Sequence, residues 1–155
     1  MPEARASASN QLIHRTHLVC RVLLGLVFVS SGVLKIISPQ HATELLSQVS
    51  SLDESYSRTI ILLGSILELL LGGILLVAGK YFKLAAVISS SVLLIFTFVG
   101  IWTLEDPKPC GCFGDFLDSK TDAYFILRNL ILFFLSMIIL RYSNEHIAEQ
   151  QEEEL

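Results

Sequence analysis

Two groups of residues in this sequence have types and spacings that could do chemistry. Cys110 and Cys112 stand one glycine apart and follow Pro109. Gly111 gives the backbone freedom to bring the two sulfurs together. A disulfide across so small a ring departs from relaxed geometry, and strained, accessible disulfides are the more oxidising and exchangeable ones. The pair therefore reads as a candidate redox centre. Three other readings stand beside it: a permanent structural staple, two free thiols in a tight turn, or half of a metal site. Four-coordinate zinc needs further ligands, and the loops on that side offer His41 as the only histidine, so no metal is expected.

The second group is made of charges where charge is costly. Glu68 falls near the middle of a long apolar run, and Arg128 and Asn129 interrupt another. A carboxylate within a membrane span is usually paired, protonated or functional. At a rise of 1.5 Å per residue, Glu68 lies roughly 13 Å and Arg128 roughly 8 Å below the same boundary. An arginine side chain covers that gap, so a Glu68–Arg128 ion pair is expected. Lys35 is placed to join it and Asn129 to donate or accept beside it. The same cluster serves equally as a polar clamp that fixes helix register without any catalysis. Cys20 sits at the far end of its helix from Cys110 and Cys112 and reads as a small buried apolar residue. His14 and His17, three apart, read as interfacial residues.

The elements that position these side chains follow from hydropathy. Only 17% of the 155 residues are charged, against about 25% in soluble domains, and the charges gather in the termini and three short stretches. Between them lie four apolar runs, about 18–37, 59–79, 84–104 and 123–140. Each has the length of roughly 20 residues that a membrane-spanning helix needs. None shows the strict alternation of barrel strands of about ten residues. The predicted fold is all-α: a four-transmembrane-helix bundle over 18–142, with a polar leader at 1–17 and an acidic tail at 143–155. His41 to Arg58 reads as a polar loop. The first run is long for a cleaved signal peptide and lacks a clear small-x-small cleavage site. Gly25, Gly32, Gly64, Gly72 and Gly73 suit close helix approach in lipid, where packing drives association.

Four spans place both termini on one side. That side carries Arg5, Arg15, Arg21, Lys80, Lys83 and Arg141, and the other carries Lys35, Arg58, Lys108 and Lys120. The excess favours cytoplasmic termini. The Cys110–Cys112 loop then faces the periplasm or exterior, the side on which disulfides form and persist. Neither a basic cluster nor aromatic–basic interleaving is present, so no nucleic acid is expected as a partner.

Several of these pieces together resemble the MauE/DoxX family of small four-helix membrane proteins. They are Arg21-Val-Leu-Leu-Gly25 with Phe28, Ser31-Gly32 and Lys35; Leu67-Glu68 with Gly72; Pro109-Cys110-Gly111-Cys112-Phe113-Gly114; and Leu127-Arg128-Asn129. The Cys-Gly-Cys-Phe-Gly turn between the third and fourth spans is similar to the MauE-like branch in particular. The resemblance covers most of the chain apart from its termini. It implies a redox-associated protein of the bacterial inner membrane. MauE-like members are linked to maturation of the disulfide-rich methylamine dehydrogenase, with a thioredoxin-like partner; DoxX-like members are linked to quinone-coupled sulfur oxidation. Cys110 and Cys112 match the family's thiol pair. Lys35, Glu68, Arg128 and Asn129 match its polar positions within the bundle.

The leading expectation is thiol–disulfide exchange with a thioredoxin-like or disulfide-containing periplasmic protein. The buried polar cluster prompts a quinone between the helices as the next electron carrier. The rival is a non-catalytic structural or assembly subunit of a larger membrane complex. A small-solute or proton carrier is the third reading.

Overall fold

The computed structural model describes the backbone of residues 2–77, 81–105 and 121–153, and the side chains of 15–77, 81–105 and 121–141. These residues form five helices and no strand: α1 (Pro2–Ile37), α2 (Gln40–Ser50), α3 (Glu54–Val77), α4 (Phe82–Trp102) and α5 (Ala123–Glu153). Four contain segments long and apolar enough to cross a membrane: Arg15–Ile37, Glu54–Val77, Phe82–Trp102 and Ala123–Arg141. The predicted four-span bundle is the observed architecture. α1 packs along α3 and α4 along α5, while α1 also meets α5 and α3 also meets α4, closing the bundle.

The packing is that of a protein solvated by lipid. The outward faces carry large apolar side chains such as Leu63, Leu70, Val77, Ile95, Phe98 and Phe134, all exposed. Such continuous apolar surface is not sustained in water. The inward faces are small and weakly polar: Ser31, Ser65, Ser89, Ser90, Thr97 and Ser136 are buried. In lipid no apolar–water term draws helices together, so close packing of small residues and interhelical hydrogen bonds hold the bundle. Ser90 Oγ and Ser136 Oγ tie α4 to α5 at 2.7 Å.

Three of the five expected glycines lie at helix contacts. A Cβ on Gly72 would stand 2.8 Å from the Gly25 carbonyl oxygen and 2.9 Å from the Val29 nitrogen, and one on Gly32 would stand 2.8 Å from the Ser65 carbonyl oxygen. Gly64 and Gly73 have nothing within 4 Å of that position. Gly72→Ala is therefore expected to destabilise the α1–α3 contact by about 1–3 kcal/mol, the usual cost of overpacking. Gly73→Ala, its immediate neighbour, should stay within about 0.5 kcal/mol of the parent. Denaturing-detergent titration of the two variants checks the difference; equal stabilities would show that α1 and α3 are not in contact at Gly72.

The segment read as a loop differs most from expectation. Pro39 ends α1, after a last Ser38 N–H to Leu34 carbonyl bond of 2.9 Å, because proline cannot continue the ladder of the preceding turn. The chain restarts at once as α2, and Ala42 and Thr43 bury one face of it. Ser51 turns the chain with φ 54°, the left-handed conformation that commonly closes a helix. α3 then begins at Glu54, five residues before the apolar run, its first turn held by a Ser57 N–H to Asp53 carbonyl bond of 3.0 Å. The polar leader likewise continues as the first turns of α1. At the other connection, Asp122 Oδ1 accepts from the Phe125 N–H at 2.9 Å and caps α5.

Candidate functional site

α1 stops short of its neighbours. Lys35 stands about 3 Å from the end of α1, whereas Glu68 stands about 21 Å along α3 from its start, at 1.5 Å per residue. Their side chains nevertheless meet, so the first half of α3 rises beyond the end of α1. α2 packs beside α3. The bundle thus has α1 as one wall over part of its length and α2 over the rest.

At the changeover sits the buried polar group. Lys35 Nζ donates to Glu68 Oε1 at 2.5 Å, with both side chains at 7% exposure or less. Ser31, one turn earlier on α1, donates to Glu68 Oε2 at 3.0 Å. Both carboxylate oxygens are therefore occupied by α1 donors, which offsets part of the cost of burying the charge. Lys35 also lies 4.8 Å from the centre of the Phe96 ring on α4, a favourable seat for a cation in a dry environment.

The order of partners corrects the expectation. Lys35 holds the close ion pair with Glu68, and the Arg128 guanidinium lies over the Phe125 ring at 5.3 Å. The rise along each helix placed Arg128 within reach of Glu68, but it carries no information on which side of α3 faces α1 and which faces α5. Lys35, Glu68, Arg128 and Asn129 do converge: all four line one cavity of about 40 Å³, together with Ser31 and Phe96. Asn129 is buried, and its Nδ2 has no hydrogen-bond partner.

A second cavity, of about 230 Å³, adjoins the first through their shared residues Lys35, Glu68 and Phe96. Its walls come from Leu45, Leu46 and Val49 of α2, Ile60 and Gly64 of α3, Ile95 and Val99 of α4, and Phe125 of α5. Its lining is apolar apart from Lys35, Glu68 and Ser65. The reading of 41–58 as a loop missed this chamber, because α2 supplies one of its walls.

Cys110 and Cys112 lie outside the described residues. α4 ends and α5 begins at the end of the bundle where α1 gives way to α2. Cys20 is a free, buried thiol packed among apolar residues of the core. His17 stands near the start of the first span, which begins at Arg15, and its side chain is buried, its ring edge-on to Phe82 at 5.8 Å between centroids. The His14 side chain lies outside the described residues.

A family model, methylamine utilisation protein MauE, matches residues 13–142. Comparison with curated proteins and with solved structures finds no match.

Proposed function

Because the chain belongs to the MauE family, and hence to a family of multi-pass membrane proteins, we propose that it is a redox accessory protein of the bacterial inner membrane that exchanges a Cys110–Cys112 disulfide with a periplasmic partner. A thiolate of a partner dithiol attacks one sulfur of the pair. The intramolecular S–S bond breaks, an intermolecular one forms, and the other cysteine leaves as a thiolate. The partner's second thiolate then attacks its own bridged sulfur and releases this chain with both cysteines reduced. Two electrons pass from partner to pair; the reverse sequence reduces a partner disulfide. The partner class is a thioredoxin-like protein or a disulfide-containing client.

The reading is carried by the Cys-Gly-Cys motif, in the sequence between α4 and α5, in a chain of this family. Its direction toward the oxidising side rests on the lysine and arginine count of the flanks. Mixed-disulfide trapping tests it. In Cys112→Ser, the Cys110 thiolate still attacks a partner disulfide, but the chain has no second thiol to resolve the adduct. A covalent complex with a periplasmic protein is expected to accumulate in one of the two single variants, Cys112→Ser or Cys110→Ser. Absence of adducts from both overturns the exchange mechanism.

A second reading has its own observation. The Ser31–Lys35–Glu68 clamp joins α1 to α3 and fixes their register with no chemistry required. On that reading the chain is a structural or assembly subunit of a larger membrane complex and the cysteines are a staple.

A further inference from the structure

We propose that the small polar cavity between α1, α3, α4 and α5 is a built water site, in which water bridges Asn129 of α5 to the Lys35–Glu68 pair of α1 and α3. No residue lining this cavity is exposed. Asn129 is 4% exposed, and its Nδ2 has no hydrogen-bond partner. A buried donor left without an acceptor is costly and rare in folded proteins. Glu68 lines the same cavity with acceptor capacity to spare. An ionised carboxylate offers about four lone-pair sites, and the donors on it are Lys35 and Ser31. A spare donor on α5 and spare acceptors on α3 thus share one enclosed space, and no direct hydrogen bond joins them.

Size restricts the occupant. One water needs about 10–15 Å³ of such space, whereas a benzene-sized body takes a cavity of about 150 Å³. The cavity is about 40 Å³, so it admits a few waters and no organic molecule. Charge restricts it further. A small anion would accept from Asn129 but stand against the Glu68 carboxylate. A small cation would suit Glu68 but stand against the Lys35 ammonium and the Arg128 guanidinium. Water both donates and accepts, so it serves the two ends without adding charge, and a bridge of this kind is nearly as good as a direct bond. It ties α5 to the clamp that joins α1 and α3.

Radiolytic labelling tests the site. The whole protein, in lipid nanodiscs in H₂¹⁸O, receives a short X-ray pulse that makes hydroxyl radicals from water in place and labels the side chains beside it. Mass spectrometry compares buried leucines, which share one intrinsic reactivity. Leu93 and Leu132 line the cavity, whereas Leu71 and Leu75 pack in the apolar core. The ¹⁸O label is expected on Leu93 and Leu132 and not on Leu71 and Leu75. Asn129→Leu deletes the donor and puts methyl groups in the space, so the label should be lost. Val27→Leu extends into the cavity from α1 with every polar group intact. It should lower the label too, and it carries the test if Asn129→Leu fails to fold. Exchanging chloride for gluconate should change nothing. Label that appears only after chloride is removed assigns the cavity to an anion and overturns the proposal. So does a label on Leu93 and Leu132 no greater than on Leu71 and Leu75, or one that survives both substitutions.

Discussion

Glu68→Ala should lower the stability of the bundle by about 3–5 kcal/mol, the usual consequence of removing one partner from a buried ion pair. The cost comes from what is left behind. The Lys35 ammonium would remain buried, with the Phe96 ring at 4.8 Å as its neighbour and no carboxylate. Ser31 would lose its acceptor as well. Replacing both charges with apolar residues of similar size, Lys35→Met with Glu68→Leu, should recover most of the loss, because the penalty lies in an uncompensated charge rather than in the missing attraction. Denaturing-detergent titration of parent, both singles and the double gives the coupling directly. Additive single effects would show that the two side chains do not interact. The double variant also separates two roles. If it restores both stability and activity, the pair is a clamp alone. If it restores stability without activity, the charges take part in what the protein does.

Replacing Cys110 and Cys112 together with serine should abolish redox activity while leaving the bundle intact. The contacts that close the bundle run through the faces of α1, α3, α4 and α5, so the double serine variant is expected to unfold with the parent. The reduction potential of the native pair supplies the sharper measurement. An exchanger is expected to equilibrate with glutathione buffers near about −200 mV, whereas a structural staple lies below about −300 mV. A potential in the lower range would sink the exchange mechanism and leave the structural-subunit reading.

Much of the architecture was legible because lipid imposes a coarse rule. A backbone in hydrocarbon must satisfy its own hydrogen bonds, so a run of about 20 apolar residues has few alternatives to a helix. The four spans follow from that rule, and the membership of the polar cluster follows from the cost of charge in the same medium. What was not legible depended on where helices begin. Glu54 to Arg58 is polar and reads as loop, yet it is the first turn of α3. Which of the two cations near Glu68 pairs with it is set by how α1 and α5 dock against α3, and Lys35 is the close partner. α2 was missed for a related reason. Its histidine, glutamate, glutamines and serines suggest a solvated connection, but Ala42, Leu45, Leu46 and Val49 recur at helical spacing and supply one wall of the chamber. That pattern was present in the sequence, set directly after the Pro39 that ends α1. Ser31 carried no comparable signal. A serine becomes a carboxylate partner only when the helices are docked.

The break at Pro39 has a consequence for the flank of the bundle. Where α1 is continuous, the side of the bundle is sealed by a helix whose glycines bring it against the α3 backbone. Beyond the break the same side is covered by the eleven residues of α2, set between Pro39 and Ser51 and resting mainly on α3. The molecule is asymmetric from end to end. One stretch of its flank is a continuous membrane-spanning helix keyed to its neighbour by glycines, and the other is a short separate helix joined to the bundle by two tight connections.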